Sequence, residues 1–169
     1  MQKLFELGRH RFYWLGLLLL GISFEATALL YQHVLDYPPC VMCIQVRLWV
    51  LGLILLALLG FVVRRSRVNC ALAHLLVAGI MAGMLERAWQ LLGTERGFII
   101  STCGFDLGLP SWLALDRWWP AVFEVKTTCG YTPELLFGIT MAEALLVMSS
   151  VLLVVSLLLS VVMLVTRSE

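Results

Sequence analysis

Charge is what this sequence has least of. Asp, Glu, Lys and Arg make up 14% of its 169 residues, where a soluble domain carries about a quarter. So few charges cannot cover a water-facing surface, and 61% of the chain is hydrophobic. Nucleotide-binding signatures are missing as well: no G-x-G-x-x-G follows a strand pattern, and there is no P-loop. The formal net charge of +1 does not point to nucleic acid, and none is expected as a partner. No internal repeat or low-complexity tract occurs beyond the apolar runs. A cleavable signal peptide is not expected, because the first apolar run is too long for one and its polar interruption, Glu25, is no cleavage site.

What is present is four runs long enough to cross a hydrocarbon core, which takes about 20 residues at helical rise. They span about Phe12 to Tyr31, Val41 to Val63, Val68 to Leu92 and Leu135 to Val165. The fourth is longer than a perpendicular crossing needs. Short connections between successive runs predict antiparallel neighbours. The fold class expected is therefore an all-α integral membrane protein, one membrane domain over 1–169 built as an antiparallel four-helix bundle. Small residues such as Gly52, Gly79, Ala82, Gly83, Ser149, Ser150 and Ser156 would let the helices approach closely.

Basic residues give the orientation. Lys3, Arg9 and Arg11 precede the first run, Arg64, Arg65 and Arg67 fill the gap between the second and third, and Arg167 follows the fourth. The loop 32–40 has none, and the long segment 93–134 has Arg96, Arg117 and Lys126. The positive-inside rule then predicts cytoplasmic termini and two outward loops, periplasmic in a bacterium. Within the second outer loop, "PSWLALDRWWPAVF" (110–123) predicts a short amphipathic helix at the membrane surface or on the top of the bundle.

This sidedness sorts the five cysteines. Cys40, Cys43, Cys103 and Cys129 share the oxidising side, while Cys70 sits apart near the cytoplasmic end of the third run. Two outer disulfides are expected. Pro38 and Pro39 cannot continue a helix from upstream, but proline suits a first turn, so Cys40 is expected at the head of the second helix. Free amide N–H groups and the dipole there would favour a thiolate. At about 100° per residue, Cys43 lies about 60° and Arg47 about 20° from Cys40, on one face.

A Cys-x-x-Cys pair alone leaves several readings open. Haem attachment needs a histidine next, and Ile44 stands there. Zinc needs two more ligands at a suitable spacing, and Cys103 and Cys129 are 26 residues apart. A structural bridge between i and i+3 closes a tiny loop and stabilises little. Redox use fits better. A pair at the membrane boundary needs an electron acceptor that dissolves in lipid, and a quinone head group between the first two helices would meet Arg47. A fixed cation stabilises the anionic oxygens that develop on reduction. The competing reading is a non-enzymatic membrane scaffold with two structural disulfides; a metal-binding membrane protein is a third.

Other polar residues carry plainer expectations. Glu25, inside the first run, is either a structural acid of the bundle interior or a group near the quinone pocket. Glu86 and Arg87 are adjacent and should find separate partners rather than each other. His33 is read as interfacial, Glu143 as an interface or packing residue, and Cys70 as a small buried hydrophobe.

Two stretches, "FEATALLYQHVLDYPPCVMCIQVR" and "STCGFDLGLPSWLALDRWWPAVFEVKTTCG", together resemble the disulfide-bond formation protein B (DsbB) family, whose DsbA–DsbB–quinone system keeps the bacterial periplasm oxidising. The resemblance covers nearly the whole chain. It implies a membrane oxidoreductase that reoxidises a periplasmic DsbA-like thioredoxin-fold protein and passes the electrons to the quinone pool. Cys103 and Cys129 would form the disulfide attacked by that donor, with Cys103 carrying the mixed disulfide. Electrons would pass to Cys40 and Cys43 through a Cys129–Cys40 bridge, Cys43 would engage the quinone, and Arg47 would match the quinone-site arginine. Ubiquinone is the acceptor implied in air, menaquinone without it. The chain departs from some members in having Val46 rather than an acid before Arg47, and in a short stretch, "LLGTERGFIIST", ahead of Cys103.

Overall fold

The computed structural model describes residues 2–100, 104, 106–130, 133–136 and 138–165. Four long helices dominate it: α2 (Arg11–His33), α3 (Val41–Val63), α4 (Arg67–Glu95) and α7 (Met141–Val165). Each is long and apolar enough to cross a membrane. Their outward faces carry Leu19, Leu55, Leu72 and Val147, all exposed. Helices apolar all round belong in lipid, which covers these side chains as a core would.

The helices pack in chain order, α2 on α3, α3 on α4 and α4 on α7. The backbones of α2 and α7, the two ends of that series, hardly approach each other. A helix not anticipated from the sequence, α1 (Gln2–Arg9), packs on both at one end of the bundle. Its Gly8 carbonyl accepts hydrogen bonds from the buried Trp14 indole N–H (3.2 Å) and the Cys70 thiol (3.6 Å), and His74 Nε2 lies 3.1 Å away. Cys70 is thus fully buried, without a disulfide, and spends its thiol on a backbone oxygen. Arg9 donates to the carbonyls of Arg64 (3.1 Å) and Arg65 (2.8 Å), and Arg67 donates to those of Met163 and Leu164. Each arginine satisfies carbonyls that a helix end leaves unpaired and opposes the negative end of its dipole.

Close helix contact rests on fewer small residues than the sequence offers. A Cβ at Gly60 would stand 2.0 Å from the Trp14 ring, so α2 and α3 approach only because glycine is there. Gly83 and Gly52 also face neighbouring side chains, Trp49 and Ile80. Gly79, by contrast, faces open space.

The end opposite α1 holds both connecting loops. After α2 the chain turns through Asp36, one of the few residue types that tolerates a positive φ (53°), and reaches Pro38 and Pro39. The segment 110–123 folds as three consecutive short turns: a 3₁₀ turn at Ser111–Leu113, α5 (Leu115–Trp118) and α6 (Pro120–Phe123). Pro120 divides it, because the residue before a proline is driven out of helical geometry and Trp119 sits at φ −135°, ψ 69°. Trp112, Trp118 and Trp119 are exposed.

The last helix begins later than the apolar run. Residues expected to open it form a small hairpin instead, β1 (Glu134–Leu136) against β2 (Ile139–Thr140), turning through Gly138 at φ 76°. Helix α7 then starts at a capping box. The Glu143 N–H donates to Thr140 Oγ1 (3.3 Å), and the Thr140 N–H donates to the Glu143 carboxylate (3.1 Å). Arg96, just past α4, forms an ion pair with the same carboxylate. Glu143 is therefore a helix cap and a clamp between α4 and α7, a more specific role than packing.

Candidate functional site

Cys40 is the N-cap of α3. Its backbone is extended (φ −87°, ψ 169°), as an N-cap position requires, and its sulfur accepts a hydrogen bond from the Cys43 N–H at 3.3 Å. The sulfur takes the place that a serine or aspartate oxygen usually fills. Cys40 is only 1% exposed and packs with Leu91, Leu107, Phe123 and Ala142, residues from α4, the long loop and α7. The position is as expected, but the charge is not. The hydrogen bond shared with the Cys43 sulfur, followed by burial, pushes the Cys40 thiol well above the ordinary cysteine range. Those two effects outweigh the N–H groups at the helix start, which on their own favour a thiolate.

The long loop straps across this helix end. Pro39 O accepts from the N–H groups of Lys126 (3.0 Å) and Thr127 (3.4 Å), and Thr127 lies beside Cys40 in a parallel bridge. Gln45 Nε2 donates to Leu107 O (3.2 Å), and the Tyr31 hydroxyl donates to Glu134 O (3.2 Å). Cys129, two residues beyond Thr127, is disulfide-bonded, whereas Cys40 and Cys43 are free thiols. Cys103 lies outside the described residues.

Arg47 sits one turn below Cys43 and is buried. Its guanidinium donates to Ala28 O on α2 (2.9 Å), to Val122 O in the loop (2.9 Å) and to the Gln32 side-chain oxygen. Gln32 was not singled out from the sequence, yet it is buried and its Nε2 donates in turn to Ala121 O (2.8 Å). The arginine thus fastens α2, α3 and the loop together. Replacing it would loosen the strap as well as remove a charge.

Beside these groups a cavity of about 170 Å³ opens where both loops meet the bundle, in the space left between α2 and α7. Cys43, Arg47 and Glu25 line it, and its walls include Phe24, Val50 and Leu145. Glu25 Oε2 is buried without a hydrogen-bond partner. A mostly apolar slot with one cation, one carboxyl and one thiol suits a flat, largely apolar molecule bearing polar oxygens.

The remaining polar candidates stand away from this centre. His33 is exposed at the end of α2. Glu86 and Arg87 do come together, contrary to expectation: Gln90 donates to Glu86 (3.1 Å) and accepts from Arg87 (3.2 Å), with the charges 4.0 Å apart. A glutamine one turn on bridges what adjacent helix positions cannot join directly.

Comparison with known proteins agrees with this architecture. The family model described as disulfide bond formation protein DsbB matches residues 10–159. Disulfide bond formation protein B of Shewanella amazonensis is 38% identical over 152 residues, covering 89% of this chain and 90% of that protein. Disulfide bond formation protein B 2 of Pseudomonas aeruginosa is 34% identical over 135 residues, 79% and 80% of the two chains. The Photorhabdus laumondii protein of the same name is 33% identical over 130 residues, 76% of each. With a cysteine pair capping a membrane helix and a match along most of its length, the chain belongs to the DsbB family of multi-pass membrane oxidoreductases that generate disulfide bonds.

Proposed function

We propose that this chain is a protein-dithiol:quinone oxidoreductase of a bacterial inner membrane. It takes electrons from a periplasmic DsbA-like thioredoxin-fold protein and passes them to the membrane quinone pool. Its catalytic residues are Cys40, Cys43, Cys103 and Cys129, and Arg47 binds the quinone. Both termini are cytoplasmic. That orientation is supported by Lys3, Arg9, Arg11, Arg64, Arg65 and Arg67, which gather at the end opposite the cavity.

The observation that carries the reading is the bridge between Thr127 and Cys40. It draws the strand leading to Cys129 against the one cysteine whose partner, Cys43, lines the cavity. Cys103 and Cys129 form the outer disulfide of the relay. Attack by a donor thiolate makes a mixed disulfide at Cys103 and releases Cys129. The donor's second thiolate resolves that bond and leaves oxidised. Cys129 then attacks Cys40 of the Cys40–Cys43 disulfide, and Cys43 is released facing the cavity. Cys103, freed by the donor, then attacks Cys129, re-forming the outer disulfide and releasing Cys40, and Cys40 and Cys43 close again as their two electrons and two protons pass to the cavity.

The cavity's chemistry supports a quinone head group: mostly apolar walls between α2 and α7 with the Arg47 cation among the lining side chains. A bound quinone, ubiquinone in air or menaquinone without it, supplies the two-electron sink. Arg47, held by the carbonyls of Ala28 and Val122, presents a fixed charge that stabilises negative oxygen without reorganising.

The test is anaerobic mixing of the purified protein and ubiquinone with a reduced DsbA-type protein, following quinone absorbance. Turnover by the wild type, abolished by Cys43→Ser and by Cys103→Ser, is the expected result. Turnover that survives either substitution would break the relay.

A further inference from the structure

Glu25 is the one carboxyl group among the described residues lining the cavity. Buried polar atoms are nearly always hydrogen-bonded, and the exceptions call for a reason. Its Oε2 is such an exception. The nearest cation does not account for it. Arg47 spends its guanidinium on Ala28 O, Val122 O and Gln32, and no ion pair within 4.0 Å joins it to Glu25 among the described residues. Ala28 is nevertheless only one turn along α2 from Glu25, on the same face. The carboxyl therefore stands next to the arginine, in the same slot, with one oxygen uncommitted.

The reaction at this slot moves protons as well as electrons. When Cys40 and Cys43 close to a disulfide, two S–H bonds break and one S–S bond forms, while a quinone becoming a quinol gains two O–H bonds. Few groups on the cavity wall can carry those protons. Phe24, Val46, Val50 and Leu145 have none to exchange, and Arg47 does not release its own. The wall's hydroxyls are those of Tyr31, Tyr37, Thr127 and Thr128, alcohols and phenols that are weaker acids than a carboxyl, and the Tyr31 hydroxyl is donated to Glu134 O.

We propose that Glu25 is the proton-transfer residue of the quinone site. It gives its carboxyl proton to a quinone oxygen, regains one from the cysteine pair, and repeats the transfer once. It ends each turn as it began. The inference rests on the quinone reading above and adds the group that balances it.

The experiment compares wild type, Glu25→Gln and Glu25→Asp, purified in detergent and supplied with ubiquinone-1. Three quantities are read: quinone retained at equilibrium dialysis without donor, the single-turnover rate of quinone reduction, and the infrared absorption of the resting, quinone-loaded protein in the protonated-carboxyl C=O region. Glu25→Gln should bind quinone as the wild type does and reduce it about 10²-fold more slowly, the loss typical of a missing general acid. Its resting spectrum should lack the protonated-carboxyl C=O band that the wild type shows. Glu25→Asp should keep the band and recover part of the rate.

Wild-type reduction rates in Glu25→Gln would overturn the proposal. So would a rate that falls only in step with lost quinone binding, or a wild-type spectrum with no carboxyl band. A wild type that neither retains nor reduces ubiquinone-1 would overturn the quinone reading itself, an outcome distinct from those three.

Discussion

Gln32 and Arg47 are joined side chain to side chain across the α2–α3 interface, and the other end of the Gln32 amide holds Ala121 of the long loop. One uncharged residue thus orients the cavity's cation and anchors the segment that runs on to Thr127. Gln32→Ala removes an acceptor from a buried guanidinium, which costs about 1–3 kcal/mol. Thermal unfolding should show that loss. Trypsin should cut at Arg117 and Lys126 faster than in the wild type, before the bundle melts. Equal cleavage rates would mean the loop is held without Gln32.

A pH slope follows from Cys40. Its thiol is pushed up in the folded, reduced protein, so the folded state holds a proton that the unfolded chain releases near its ordinary value of about 8.5. The stability this contributes is complete below that pH and declines as the pH rises above it. Cys40→Ser should flatten the decline between pH 8.5 and 10, measured by denaturation of the reduced protein. A decline of the same steepness in Cys40→Ser would assign it to other groups.

The α7 capping box makes a graded prediction. Thr140→Ala removes one acceptor at the helix start and should cost about 1 kcal/mol. Glu143→Ala removes the reciprocal bond and the Arg96 ion pair together, and should cost more. The two losses should not add in the double variant, because the residues satisfy each other. Additive losses would dissolve the box into two independent contacts.

Gly60 and Gly79 form a matched pair. Gly60→Ala drives a methyl into the Trp14 ring and should destabilise by about 1–3 kcal/mol. Gly79→Ala meets nothing within 4 Å and should be neutral or slightly stabilising, since alanine favours a helix. Thermal melts of the two variants settle the contrast, and equal losses would contradict it.

What the sequence makes legible is what local chemistry controls. Apolar length marks the four helices, and Pro38 and Pro39 mark the head of α3, so Cys40 at its N-terminus and Arg47 on the Cys43 side follow from spacing alone. Contacts between residues far apart in the chain are another matter. Nothing in "YQHV" says that Gln32 will bond to Arg47 and to Ala121, 15 and 89 residues away. The hairpin before α7 was within reach: Thr-x-x-Glu at 140–143 signals a helix start, but the apolar run from Leu135 masks it. The reversal at Cys40 has a physical cause too. Helix geometry alone favours a thiolate there; the hydrogen bond shared with the Cys43 sulfur opposes it first, and the burial that only the folded loop supplies adds to it.

A sulfur that solvent cannot reach is one that solvent cannot discharge. Cys40 lies under Leu107, Phe123 and Thr127, at 1% exposure. A small thiol drifting past has no open line to the Cys40 sulfur. In the relay proposed above, reducing equivalents enter by the segment that carries Cys129 and leave toward the lipid, and the lid over Cys40 acts as insulation on a wire. An oxidant built this way can stay charged in a compartment full of stray reductants.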